Sequence, residues 1–541
     1  MANARATGRT RAFSRPTATS CKCVSLRLVR RGATAILLSS AALISIVASL
    51  WGCDSLLGLG DFTFVGDGSA DGCAPGTNKL TLENACTSAT CIVFDDTRLT
   101  SCTIDGGNVT CPVAPVSDAG IPAELVVPDG GWPLGDAGSL PSCASLPTNY
   151  PQPYVYGAGS SALSLYVGKI AQAFENQNMG TIIYQIAGSC YGAYTTVLGY
   201  PLETVPASTG NGTATYFDPV QSDSNGVPLQ YTCIIDEATK QADFGVSDVF
   251  PTTCLPQLQV SGLPSNLHDF FGPVQTMVFA VPSSSQQASI SAQAAYMVWG
   301  FGNDSGVAPW TNEAYMLQRG GSSGTQSMMA AAIDLDPFAW KGVLNAANQN
   351  VLNGILAAGA ASNQTIGIMG ADFAEDNRSQ VNILTLQDHG QTCGYYPDST
   401  ATSFDKQNVR DGHYPVWGPS HFIVPVNGSG QPVNTTVQQF VNALSGTAPV
   451  AGLNLLQTYV QRHIVPLCAM HVTRTSDGQD YTPYTPPVSC SCYYDFLTSG
   501  QAPSYCVPCT IPSDCASVPD GRTSCNIFGS PPTGYCEQPG Q

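Results

Sequence analysis

From Tyr154 to about Cys468 the chain alternates apolar strand segments with amphipathic helical ones. The run YVYGAG is followed by ALSLYVGKIAQAFENQ, then TIIYQIAG, then a helical stretch from Cys190. A strand with no polar face must be covered on both sides, and helices between successive strands supply that cover. The alternation therefore predicts an α/β fold with mostly parallel sheets. With 541 residues, 43% hydrophobic, the chain has material for a large core and for more than one structural unit.

Cysteine usage sets the compartment. The chain holds 21 cysteines, far more than a reducing cytosol favours. Setting aside Cys21, Cys23 and Cys53, the rest form three even groups. Six lie at Cys73, Cys86, Cys91, Cys102, Cys111 and Cys143. Four are spread at Cys190, Cys233, Cys254 and Cys393. Eight crowd the end, from Cys468 and Cys490 through Cys492, Cys506, Cys509, Cys515 and Cys525 to Cys536. Even groups fit separate disulfide sets, although spacing does not give connectivity. The C-x-x-C at Cys506 and Cys509 reads as disulfide rather than zinc in an oxidising compartment.

The N-terminus agrees with export. Residues 1–31 are basic, and an uncharged stretch, Gly32 to Gly52, precedes Cys53 and Asp54. A basic region followed by an apolar one reads as a secretory signal over 1–52. Leu50-Trp51-Gly52-Cys53 resembles a bacterial lipoprotein lipobox, which implies lipidation at Cys53. A plain cut near Gly52 and an uncleaved anchor are the alternatives. Residues 53–72 read as a tether, 73–150 as a Cys-rich, strand-like extension and linker, and 469–541 as a Cys-rich extension too poor in aliphatics for its own core. Within the first extension, CTIDGGNVTC reads as a hairpin.

Charge excludes one class of partner. Net charge is −18, yet the eight basic residues before Gly52 face no acidic ones there. The remainder carries 12 basic against 38 acidic groups. No nucleic acid is expected as a partner, since little is left to build a basic face.

Four segments place glycines and small hydroxyl residues where a strand gives way to a helix. They are Gly157-Ala158-Gly159-Ser160-Ser161, Gly188-Ser189, Ala242 to Asp248, and Arg319-Gly320-Gly321-Ser322-Ser323-Gly324-Thr325. A helix start exposes unpaired N–H groups and a partial positive charge. Several such starts pointing inward hold an oxyanion with few basic residues. Arg319 can add a bidentate charged contact. The same glycine-rich segment also matches G-x-S-x-G, so Ser322 with Asp376 and His389 or His421 forms an alternative serine-hydrolase set. The six histidines show no H-E-x-x-H spacing; no metal or other cofactor is expected.

In order, GAGSS, IAGS, ADFGVSD and RGGSSGT resemble the phosphate-binding proteins of bacterial ABC phosphate importers, over about residues 154–465. Gly412-His413-Tyr414-Pro415 before FIVPV is similar to that family's return strand. The resemblance implies a two-lobed periplasmic-binding-protein-like fold with a hinge, spanning 154–468. Lobe one would comprise 154–275 and 420–465, and lobe two 282–412. It implies ligand contacts from Ser160, Ser161, Ser189, Asp248, Arg319, Ser323, Gly324 and Thr325, with Asp248 accepting the proton of hydrogen phosphate. The chain departs from the family at Ser161-Ala162, where Thr-Phe is usual, and at Gly321, where a second acid is common. Residues 199–241 read as an inserted loop that Cys233 pins.

The function so implied is extracytoplasmic capture of inorganic phosphate, or a related oxyanion, for ABC permease subunits, without catalysis. The protein would sit on a membrane by its lipid anchor, in the periplasm or on the cell surface. A surface lipoprotein using the same fold as a sensor or adhesion module is the reading from another class.

Overall fold

The computed structural model describes residues 76–540, apart from 106–107, 117–139, 203–211, 225, 238, 255–261, 479 and 519–520. The basic leader, Cys53 and the tether lie outside the described residues. Among the described residues no helix is long and apolar enough to cross a membrane.

The N-terminal segment starts with a short helix, Lys79–Glu83, then β1 (Cys91–Ile92) and the hairpin β2 (Thr103–Asp105) and β3 (Asn108–Thr110). The hairpin expected from CTIDGGNVTC is present, closed by a disulfide from Cys102 to Cys111. The rest of this segment is less strand-rich than its sequence suggests. Among its described residues no separate apolar set forms; Leu82, Phe94 and Leu99 join the largest core cluster, and Leu146 and Tyr150 join a cluster of the first lobe.

The first lobe is built from β4 (Tyr154–Gly159), α1 (Ser164–Asn176), β5 (Thr181–Ile186), α2 (Ser189–Val197), the hairpin β6 (Thr213–Ser222) and β7 (Pro228–Ile234), and β8 (Phe244–Ser247). Tyr166, Val167, Ile170, Ala171 and Phe174 make one buried stripe on α1, at the spacing an α-helix requires. They pack with Val155, Phe244 and Phe422 in a core of their own. The parallel trio β5-β4-β8 is the centre of this lobe.

Strand β9 (Leu267–Pro282) then crosses to the second lobe. There follow β10 (Ser289–Ser291), the helix Ala292–Phe301, β11 (Met316–Gln318), α3 (Gly324–Ala332), β12 (Val343–Leu344), α4 (Asn348–Leu356), β13 (Ile366–Gly370), α5 (Ala371–Asp376), β14 (Val381–Ile383), β15 (Thr385–Gln387) and β16 (Gly394–Tyr395). Strand β17 (Trp417–Pro425) returns. One sheet runs through both lobes in the order β12-β11-β13-β9-β17-β8-β4-β5-β6-β7. The fold is therefore mixed α/β with two lobes and two crossing strands. Its sheet is less parallel than expected. Each lobe has a parallel trio, but β9 and β17 leave and return in opposite directions, so the middle of the sheet is antiparallel.

The disulfides do not respect the three sequence groups. Cys91 pairs with Cys393 and Cys143 with Cys233, so the N-terminal segment is bonded to both lobes. Their cysteines lie 302 and 90 residues apart in sequence but meet because β1 pairs with β16 and Ser142 bridges to Ile234. The expected pin at Cys233 exists, fastening the β6–β7 hairpin to the preceding segment. Among the described residues Cys190–Cys254, Cys468–Cys490, Cys492–Cys506, Cys509–Cys525 and Cys515–Cys536 also pair, each within its group. Both cysteines of the C-x-x-C are therefore disulfide-bonded to other partners. In the C-terminal tail, Cys509, Cys515 and Cys536 are themselves a small buried cluster, doing the work aliphatic side chains do elsewhere.

A buried carboxyl ties the N-terminal helix to this frame. Glu83 is 1% exposed and accepts a hydrogen bond from the Tyr481 hydroxyl at 2.9 Å. Burial, with Asp388 beside it, pushes its carboxyl from the ordinary 4.5 up to about 9. The folded chain thus holds a proton that the unfolded chain releases. This contribution to stability is complete below the unfolded value and is lost as pH rises through the folded one. Replacing Glu83 by Gln keeps the neutral group. Urea unfolding between about pH 5 and 9 should then lose stability less steeply, by up to about 1.4 kcal/mol per pH unit. Identical slopes for the two proteins would show that Glu83 is ionised in the fold.

Candidate functional site

The four glycine and hydroxyl segments meet at the junction of the lobes. Gly159 ends β4 with φ +140°, and a Cβ there would lie 1.9 Å from the Val246 carbonyl oxygen. Only glycine lets β4 lie this close to β8 and turn sharply. The turn delivers Ser160, which is fully buried and accepts from the N–H groups of Ala162 and Leu163 at 3.1 Å each. Ser189 opens α2, while Asp248 follows β8.

Asp248 is the centre of the lobe-one half. It is 2% exposed. Ser160 Oγ donates to its Oδ1 at 2.5 Å, and Ser189 Oγ donates to its Oδ2 at 2.9 Å. The Asp248 N–H in turn donates to Ser189 Oγ at 3.1 Å. Burial raises the Asp248 carboxyl above the usual range; the two serine bonds and the Arg319 charge oppose this.

Lobe two brings Arg319, the loop to Ser323 and the start of α3. Gly324 sits against the other half: a Cβ there would lie 2.1 Å from Ser189 Oγ and 2.7 Å from Asp248 Oδ2. The backbone N–H of Cys190 donates across to the Ser322 carbonyl at 3.3 Å. Ser323 is the N-cap of α3, but its side chain makes no capping bond. Thr325 is buried in the first turn. Gly321 has no room for a side chain, since a Cβ would lie 2.5 Å from the Phe338 ring. An acid two places after the arginine would require that ring to move.

Arg319 is 6% exposed. Its guanidinium donates to Asn348 Oδ1, to the Ala346 carbonyl at 3.1 Å and to Ser161 Oγ, across the lobes, at 3.4 Å. All three acceptors are neutral, and Nε is buried with no partner. Desolvation lowers the arginine to about 10, against the pull of Asp248. A cation held this way is incompletely compensated, and an anion would complete it.

Residues that sequence reasoning passed over position this cation. Gln326 is fully buried; its Oε1 accepts from the N–H groups of Arg319 at 2.9 Å and Gly320 at 2.8 Å. Its Nε2 donates to the Pro337 carbonyl at 2.6 Å and to Gln318 Oε1 at 3.2 Å. A glutamine inside the apolar run QSMMAAAIDL was the available signal. Asn348 opens α4, and Val343 and Leu344 just before it form an edge strand.

The hydrolase set is dispersed. Asp376 meets His463 at 3.1 Å, His421 meets Asp269 at 2.8 Å, and His389 lies 3.9 Å from Asp334. Asp376 and both histidines are thus beside partners outside the set, and none of them is hydrogen-bonded to Ser322.

No family model and no curated protein matches the chain. Solved structures similar to it include phosphate-binding proteins of ABC transport. An ABC-type phosphate transport receptor from Vibrio cholerae aligns at 12% identity, covering 58% of this chain and 100% of that one, with TM-score 0.37. PstS from Borrelia burgdorferi aligns at 13% identity over 58% and 99%, with TM-score 0.32. A high affinity periplasmic phosphate-binding protein, solved with phosphate, aligns at 14% identity over 58% and 91%, with TM-score 0.36. At such scores the ligand is a question for the chain's own side chains.

Gln326→Leu would leave the buried N–H groups of Arg319 and Gly320 without an acceptor. The expected loss of stability is about 1–3 kcal/mol, read from urea unfolding. An unchanged midpoint would show that the loop does not depend on this brace.

Proposed function

We propose that this chain binds inorganic phosphate, or a closely related tetrahedral oxyanion, between its two lobes outside the cytoplasm, and hands it to an ABC-type permease. The observation that carries the reading is Arg319: a buried guanidinium whose acceptors are all neutral and whose Nε has no partner, reaching Ser161 across the lobes and within the influence of the Asp248 charge. Ser160, Ser161, Ser189, Ser323, Gly324 and Thr325 would surround the anion with hydroxyl and backbone donors, and Arg319 would supply charge. Asp248 would select. A proton on the ligand satisfies its carboxyl, whereas fully ionised sulfate brings repulsion and an unpaired acceptor. On binding, the ligand's own hydroxyl would replace a serine on Asp248. Binding alone is required, with no bond made or broken.

The disulfides fit an oxidising compartment. Lipidation at Cys53 would hold the protein to a membrane, with residues 53–72 as the tether.

One observation favours the second reading, a sensor or structural module built on this fold. The C-terminal extension grips the first lobe and a crossing strand at once. Asp477 accepts from the Phe250 N–H at 2.8 Å and the Thr253 hydroxyl at 2.6 Å, and Arg474 donates to the Trp417 carbonyl at 2.9 Å. A bare carrier has no need of such a brace.

Titration calorimetry with inorganic phosphate separates the two. Micromolar or tighter binding is expected for capture; no heat with phosphate, arsenate or sulfate would favour the structural module. Arg319→Ala should weaken phosphate binding more than tenfold, since a desolvated charged hydrogen bond is worth roughly 1.5–3 kcal/mol. Unchanged affinity would remove this site. Asp248→Asn should narrow the preference for phosphate over sulfate. If the variant discriminates as well as the parent, Asp248 is not the proton acceptor.

A further inference from the structure

Asp248 is one carboxyl at the lobe junction, and a second comes from the opposite lobe. Asp372 stands in the first turn of α5, directly after β13. Its residue is half-buried, but Oδ1 is shielded from solvent and has no hydrogen-bond partner. That oxygen lies 2.3 Å from the point where a Cβ on Gly370 would stand, and Asn348 Nδ2 lies 3.7 Å from the same point. Asn348 is the residue whose Oδ1 receives the Arg319 guanidinium. Asp372 Oδ1 is thus close to the amide that holds the buried cation, and the Asp248 charge acts on it from the first lobe.

The helix carrying Asp372 is firmly placed. Lys406 Nζ donates to both oxygens of the neighbouring Glu375 at 2.6 Å and to Asp398 at 3.0 Å. His463 and Arg462 reach Asp376 at 3.1 and 3.8 Å. These contacts fix α5 through Glu375 and Asp376, and Asp372 Oδ1 takes no part in them.

We propose, resting on the phosphate reading above, that Asp372 is a second proton-sensing carboxyl of the anion site, and that it favours the ligand form carrying a second proton. Two carboxyls flanking one cationic site cannot both be ionised beside a dianion without strong repulsion. One proton between Asp248 and the ligand relieves one contact, and a second proton relieves the contact with Asp372. The charged groups acting on Asp372 are Asp376 on its own helix, Arg462 at the end of helix Leu455–Gln461, and Asp248 from the first lobe. Burial, with Asp376 and Asp248, raises its carboxyl to about 7, against the Phe373 N–H and Arg462. The group therefore changes charge near neutrality, and phosphate binding should weaken as pH rises through that range.

The test is the pH dependence of phosphate affinity, measured by titration calorimetry on the purified chain and on Asp372→Asn from about pH 6 to 8.5. Asparagine keeps the shape and donates without needing a proton. The parent should lose affinity more steeply than the variant, by about tenfold more over this range, the linkage of roughly one proton. The variant should also bind sulfate about tenfold better relative to phosphate. Equal pH slopes with equal sulfate ratios would overturn the role of Asp372 while leaving the site intact. Absence of phosphate binding by the parent itself would instead overturn the proposed function on which this inference rests. Arg462→Gln gives an independent check. Removing its charge should raise the pH at which Asp372 ionises, moving the loss of affinity upward; an unmoved profile counts against the assignment.

Discussion

The antiparallel ladder between β9 and β17 is the constraint on which the molecule turns. It runs from Trp417 opposite Thr276 to Pro425 opposite Leu267, broken by one irregularity between Pro419 and His421. These strands are the middle of a sheet that would otherwise be two separate parallel trios. Because the strands pair with each other, a lobe cannot drift sideways without breaking backbone hydrogen bonds. It can still bend, since a twisted ladder tolerates flexing better than sliding. The two helix starts, Ser189 on one side and Gly324 on the other, therefore meet in a fixed register.

That register is tight. The Gly324 backbone is pressed on Ser189 and Asp248, and the Cys190 N–H reaches the Ser322 carbonyl. Charge is distributed sparingly within it. Asp248 has two hydroxyl donors, Arg319 has neutral acceptors, and Asp372 is left with a shielded free oxygen. A purely structural junction of this kind would close with an Arg–carboxylate pair, as Arg410 and Asp495 do elsewhere in the molecule. The lobe junction leaves its opposite charges apart.

Much of this was legible in the residues. The alternation of strand and helix after Tyr154 is a local property, and so is the coincidence of glycine and hydroxyl residues at helix starts. The β2–β3 hairpin was readable for the same reason: turn chemistry acts over a few residues. What escaped was long-range. Cys91 could not be assigned to Cys393, because pairing depends on β1 lying beside β16. Asn348 and Asp372 carry no motif and matter only through where α4 and α5 begin. The antiparallel middle of the sheet was hidden because β9 and β17 are apolar runs that look alike in either direction. The N-terminal segment read as its own strand-like block, yet Leu82, Phe94 and Leu99 join the large core cluster while Leu146 and Tyr150 pack on the first lobe.

The bond between Cys91 and Cys393 has a consequence for biogenesis. Were the chain exported as proposed above, N-terminus first, it would expose Cys91 to oxidant long before Cys393 emerges, with Cys102, Cys111 and Cys143 arriving first. Pairing in order of appearance gives the wrong bridges. The native set requires either that Cys91 waits reduced or that an early bond is reshuffled once the second lobe has been delivered. A host lacking a thiol isomerase in its export compartment would be a poor place to make this protein.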